Sequence, residues 1–355
     1  MVRITTRVAL TALAAALAIP AAAQAQTFTM TKVDIKGDGG TDYLTAEPGT
    51  GRVFVSRGTH VMVVDGLSGK VLGDILDTPR MHGIALAPKS GRGFTTNAGD
   101  SSSTVFDLKD LHFIQKVKAG SDGLDGIMYD DFSDKILTIN HSHPDGSAVV
   151  IDPKTGTVVG KVKLTDNAPE GGVSDGKGTI YINLEGSNSI DVVDAKTWTV
   201  KATWKIDPCE GPTGIAMDRK SNRIFAACSG TSVVVDASTG KVVAQIKNGA
   251  GVDAVGWDQN EKLLYIPAGR DATVTVVHED SPDKYTVVAT VPTVKGANLK
   301  TIAVDDVKHM AYLFGPEYGP APAPDPNAPA PAAGRGGRGG PRGPMVAAWF
   351  VAIKH

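Results

Sequence analysis

VVDASTGKVVAQI, residues 234–246, decides the fold, because it recurs. Val234 and Val235 lead into Asp236 as the end of an apolar strand. Ala237–Gly240 reads as a turn, and Val242–Ile246 as the following strand. The same unit stands at VVDGLSGKVLGDI (63–75), VFDLKDLHFIQKV (105–117), VIDPKTGTVVGKV (150–162) and VVDAKTWTVKATW (192–204). The anchoring aspartates are Asp65, Asp107, Asp152, Asp194 and Asp236, with His278 in sixth place, at steps of 42, 45, 42, 42 and 42 residues. In each turn the carboxylate can accept the following amides, while a glycine such as Gly156 supplies a positive φ. Calcium loops would need more acids at longer spacing, so these aspartates are read as structural.

A second pair of strands precedes each unit: GIALAPKSGRGFTTN (83–97), GIMYDDFSDKILTIN (126–140), GGVSDGKGTIYINL (171–184), GIAMDRKSNRIFAAC (214–228) and AVGWDQNEKLLYIPA (254–268). DYLTAEPGTGRVFVS (42–56) begins the series and TIAVDDVKHMAYLFG (301–315) ends it. Seven copies of roughly 43 residues, with four antiparallel strands each, predict an all-β chain folded as a seven-bladed β-propeller. FTMTKVDIKG (28–37) resembles an outer strand without a blade, and AAWFVAIKH (347–355) a third strand without a follower. The N-terminal strand is therefore expected to join the last blade and close the ring.

The VVDASTGKVVAQI-type unit, repeated through nearly the whole chain, resembles the YVTN β-propeller repeat family of YncE-like exported proteins. Pro208-Cys209-Glu210-Gly211-Pro212, VVHEDSPDKYTVV (276–288) and FGPEYGPAPAP (314–324) carry the likeness further in the C-terminal half. The resemblance implies a propeller and an exported protein. It brings no catalytic motif, so it assigns no catalytic residue.

The chain has 355 residues, 41% hydrophobic and 21% charged, with 2 Cys and a net charge of −2. That length supports a large core without a disulfide framework, and that charge argues against a general nucleic-acid binder. Residues 1–25 have Arg3 and Arg7 ahead of an apolar run, then Ala23-Gln24-Ala25, which is the pattern of a signal peptide cut before Gln26. The expected product, residues 26–355, is periplasmic or secreted, without a membrane span. Residues 316–344, PEYGPAPAPDPNAPAPAAGRGGRGGPRGP, break the repeat as a low-complexity insert in the last blade. Arg335, Arg338 and Arg342 lack interleaved aromatics, so an RNA-binding role is disfavoured.

Alignment of the seven inner strands puts Asp42, His82, Asp125, Glu170, Thr213, Asp253 and Lys300 at equivalent positions around one channel mouth. Small residues come just inside them: Gly83, Gly126, Gly172, Gly214 and Ala254. Loops expected at the same end add Arg57, His60, Arg80, Asp100, His141, His143, Asp145 and Arg270. Two readings stay open. The ring binds a small ligand, a protein partner or a divalent cation, with Asp42, His82, Asp125, Glu170 and Asp253 as candidate metal ligands. Otherwise it is a wet opening with solvated charges. His141-Ser142-His143 lacks the spacing of a zinc motif and is expected in a solvent-facing loop. No G-x-S-x-G, P-loop, H-E-x-x-H or C-x-x-C-H motif occurs. A non-catalytic binding module is the favoured reading. The alternative is a metal-dependent hydrolase resembling gluconolactonase-type propellers, with an axial ion polarising a lactone carbonyl. Cys209 and Cys228 fall at one end of the fifth blade, as a disulfide or as two buried thiols.

Overall fold

Strands such as Arg52–Ser56 and Val61–Asp65 carry unbroken apolar runs, Val53-Phe54-Val55 and Val61-Met62-Val63-Val64, not alternating ones. A strand of that kind must be covered on both faces. The computed structural model of the chain, which describes residues 27–121, 123–142, 145–321 and 343–355, shows how. Seven four-stranded antiparallel sheets stand around a central axis. The middle strands of each are pressed between the two neighbouring sheets. Val53, Phe54, Val55, Val61, Val63 and Val64 accordingly have no exposed surface. The alternation expected from the repeats survives mainly in outer strands, where Thr199–Lys205 switches between half-buried and exposed positions.

The core is a set of seams between blades. Leu137, Ile139 and Val150 of the third blade pack with Ile180, Ile182 and Val193 of the fourth. Each buried side chain of this size contributes about 1.5–3 kcal/mol. The turn aspartates behave as structural residues. Asp152 Oδ1 accepts the amides of Lys154 at 2.8 Å and Thr155 at 3.2 Å. The turn closes where the Gly156 amide donates to the Asp152 carbonyl at φ +69°. Leu111 and Trp198 take the same left-handed place in two other blades.

Closure follows the expected route. Thr29–Asp34 pairs antiparallel with Met345–Lys354, from Thr29 opposite Lys354 to Asp34 opposite Trp349, and becomes the outer strand of the last blade. Arg57 secures the crossing into the first blade. It was expected at the channel mouth, but it is fully buried. Its guanidinium donates to the carbonyls of Lys36 at 2.9 Å and Gly37 at 3.0 Å, and lies 4.7 Å from the Phe314 ring centre. Those backbone carbonyls have no strand partner, so they draw the cation inward. The insert also begins later than residue 316. The strand Met310–Tyr318 runs on through Pro316, Glu317 and Tyr318, opposite Ala348, Ala347 and Met345. Trp349 Nε1 donates to Glu317 Oε2 at 2.7 Å and fixes that extension. Residues 1–25, His143 and the insert from 322 to 342 lie outside the described residues. Among the described residues, no helix is long and apolar enough to cross a membrane.

Two stability predictions follow from buried charge. Arg57→Ala empties a buried site and removes both donors from the Lys36 and Gly37 carbonyls, and should lower the unfolding free energy by about 1–3 kcal/mol in urea titrations. A loss within experimental error would mean that the closure does not depend on this clamp. The second concerns Glu279, buried on the outer hairpin of the sixth blade and facing the buried Asp218 of the fifth. Burial and the Asp218 carboxylate push Glu279 up to about 7. The folded chain thus holds a proton that the unfolded chain releases near the ordinary glutamate value. Stability should fall as pH rises from about 4.5 to about 7, by roughly 3 kcal/mol relative to Glu279→Gln. A wild-type-to-variant difference that does not change with pH would contradict this.

Candidate functional site at the channel mouth

Three neighbouring inner strands depart from regular pairing at the same place. Registers shift between Met81 and Ile84 in the second blade, Leu124 and Ile127 in the third, and Pro169 and Gly172 in the fourth. The residues inside these bulges are His82-Gly83, Asp125-Gly126 and Glu170-Gly171. The inner pairings of the other four blades are regular. A bulge gives up ladder hydrogen bonds and re-aims a side chain. Here three bulges turn an imidazole and two carboxylates toward one another.

Glycine lets the strands come close enough. A Cβ on Gly126 would stand 2.2 Å from the Glu170 carbonyl oxygen, and one on Gly83 would stand 2.7 Å from Ile127 Cγ2. Threonines of adjacent blades hold the site backbone. Thr301 Oγ1 donates to the Asp42 carbonyl, and Thr96 Oγ1 to that of Asp125.

His82 Nδ1 lies 2.5 Å from Asp42 Oδ2 and 3.8 Å from Asp125 Oδ1. His141 Nε2 lies 3.3 Å from Glu170 Oε1 and 3.8 Å from Asp125 Oδ2. His141 therefore belongs to the site and not to a solvent-facing loop. It follows Lys135–Asn140, and its amide donates to the Gly123 carbonyl at 2.8 Å. A Cβ on Gly123 would fall 1.9 Å from the His141 carbonyl oxygen, so only glycine permits this approach. Two clusters of potential metal ligands result, Asp42–His82–Asp125 and Asp125–His141–Glu170, each with its ligand atoms within 4.8 Å of one another. The five side chains are between 11% and 31% exposed, so the group forms an open bowl.

The remaining ring positions do other work. Asp253, expected among the metal ligands, is ion-paired with Lys300 of the next blade. The two strands meet there, and the Asp253 amide donates to the Lys300 carbonyl at 3.1 Å. Thr213 turns its hydroxyl to the Val252 carbonyl at 3.3 Å. Of the expected loop residues, Asp100 binds Lys116, Asp145 binds Lys163 and His60 faces Asp74. Arg80 is near enough to His82 to oppose its protonation.

Tyr43 was not singled out from sequence. It leaves the first blade, and its hydroxyl donates to Glu170 Oε2 of the fourth at 3.3 Å. It thus spans the channel above a cavity of about 150 Å³ lined by Gly83, Gly126, Gly171, Gly214 and Ala254.

Charge in the bowl is poorly compensated. Burial and Asp42 push Asp125 up to about 6, against the pull of His82 and His141. Burial pushes Glu170 up to about 7, although His141 opposes it. Burial disfavours a charged His141, but Glu170 and Asp125 outweigh it and push this imidazole up to about 9. Acids and bases shifted upward together mark an excess of negative charge in a desolvated place, which a bound cation would relieve. Imidazole nitrogens and carboxylate oxygens are a suitable donor set for a divalent transition ion.

In the fifth blade Cys209 and Cys228 form a disulfide with Cα atoms 5.5 Å apart. Both are buried, and neither contributes to the bowl.

No protein-family model and no curated protein matches the chain. Many known structures share its fold. A chain of Kuenenia stuttgartiensis hydrazine synthase is 18% identical, with a TM-score of 0.68 over 78% of this chain and 93% of that one. A chain of the mitotic checkpoint complex is 15% identical, with a TM-score of 0.70 over 87% and 96%. U3-55K is 10% identical, with a TM-score of 0.72 over 91% and 98%. At these identities the likeness is one of fold: this chain is a seven-bladed β-propeller.

Proposed function

We propose that this chain is a β-propeller binding module whose channel mouth takes up a divalent cation. One observation carries the reading: Asp42, His82, Asp125, His141 and Glu170, drawn from four successive blades, converge as two overlapping ligand clusters. The raised acids agree with a site completed by positive charge. A role in the YVTN-type, YncE-like group of exported propellers belongs to the same proposal. The buried Cys209–Cys228 disulfide suits the oxidising compartment to which residues 1–25 would direct the chain. Similarity to a chain of a checkpoint complex accords with propellers serving as interaction modules.

The same clusters admit a second reading, the lactonase-type hydrolase, in which a bound ion would polarise a lactone carbonyl.

Equilibrium dialysis of the full chain against Mn²⁺, followed by metal analysis, tests the proposal. Wild type should retain the ion, and Asp125→Ala should weaken retention by at least roughly 100-fold while keeping its circular dichroism spectrum. Equal retention by both proteins, or none by either, would overturn the reading. Lactone hydrolysis by the loaded wild type alone would move it from binding to catalysis.

A further inference from the structure

The two clusters share one residue, and it faces them in opposite directions. Asp125 turns Oδ1 toward His82 Nδ1 and Oδ2 toward His141 Nε2, each at 3.8 Å. A carboxylate with one imidazole before each oxygen has the disposition of a bridging ligand. A single ion taken by one oxygen would leave the other imidazole and its carboxylate as an unused ligand pair.

The second histidine is paired with Glu170, but the pairing is poorly aligned. His141 Nε2 is buried and has no well-aligned hydrogen-bond acceptor, although Glu170 Oε1 is 3.3 Å away. Ligand atoms around one ion, each about 2.0–2.2 Å from the metal, lie roughly 3–3.5 Å from one another. The nitrogen–oxygen separations of 3.3 and 3.8 Å need only small side-chain shifts to reach that spacing, and His82 Nδ1 must draw back from Asp42 Oδ2, now 2.5 Å away.

We propose that the mouth holds two divalent cations side by side, bridged by Asp125. One is held by Asp42 and His82, the other by His141 and Glu170. This rests on the cation-binding reading above and deepens it. The charge count names the next ligand. Two cations bring four positive charges against three carboxylates, so the filled bowl is cationic where the empty one is anionic. The protein would offer each ion three ligands, from side chains that are themselves partly exposed. A tetrahedral oxyanion, inorganic phosphate or the phosphate of a monoester, spans such a pair with two oxygens, as in two-metal sites with ions about 3.5–4 Å apart. Oxyanion binding therefore depends on prior metal binding.

Mn²⁺ titration of the full chain, with stoichiometry from calorimetry and spin coupling from electron paramagnetic resonance, tests the pair. Wild type should bind two ions per chain and show an exchange-coupled spectrum. His82→Ala and His141→Ala should each keep one uncoupled ion, so each variant also reports that the fold survives. Inorganic phosphate should bind the loaded protein at least tenfold more tightly than the metal-free protein. One ion in wild type would overturn the pair while leaving the binding proposal intact, and no ion would overturn both. Two uncoupled ions would refute the Asp125 bridge, and metal-independent phosphate binding would refute the oxyanion assignment. Free phosphate and a phosphomonoester such as glycerol 3-phosphate, titrated separately, distinguish the two sources.

Discussion

Contact between inner strands at the axis is the constraint on which the rest of this molecule depends. Seven strand starts share one small opening, and in the second to fifth blades glycine stands where the backbones meet. A Cβ on Gly126 would strike the Glu170 carbonyl oxygen at 2.2 Å, and one on Gly214 would approach the Ala254 carbonyl carbon to 2.5 Å. Glycine therefore sets the bore of the channel. The bore in turn sets the distances among the side chains on its rim. Charged groups that would be solvated on a wider ring are forced here into a desolvated bowl, where their mutual repulsion is large.

Closure gives that crowding a fixed geometry. Repeat structures held by nearest-neighbour contacts can open at any seam. In this chain the one seam without covalent continuity is covered by six paired residues of the N-terminal strand and by the Arg57 clamp. Three adjacent bulges add the functional asymmetry. They occur only in the second, third and fourth blades among the described inner pairings, and they turn half of the ring into ligand clusters. In the other half, Asp253 and Lys300 neutralise each other.

The architecture was readable in the sequence because a propeller repeats its turn chemistry. Asp65, Asp107, Asp152, Asp194 and Asp236 mark five blades, and the unmatched strands at the two ends indicate closure. Asp42, His82, Asp125 and Glu170 could be found by aligning inner strands, since equivalent positions in a closed ring must face the same axis. What escaped depends on neighbours far along the chain. Arg57 has the composition of a mouth residue, but two unpaired carbonyls at Lys36 and Gly37 draw it inward. His141 turns into the bowl because Gly123 lets its backbone approach, a contact across 18 residues with no local signature. Tyr43 reads as one more inner-strand aromatic until the opposite blade is in place. The bulges shift register by a residue, and their only trace is a glycine after each of His82, Asp125 and Glu170.

Anomalous diffraction from crystals grown with Mn²⁺ tests the central claim most directly, because it locates the ion without reference to its effect. The account predicts anomalous density in the bowl within about 2.3 Å of His82 Nδ1 or His141 Nε2, with Asp125 carboxylate oxygens in the same coordination shell. A mouth holding only water, with the metal elsewhere or absent, would contradict it. The ring would then be a solvated opening.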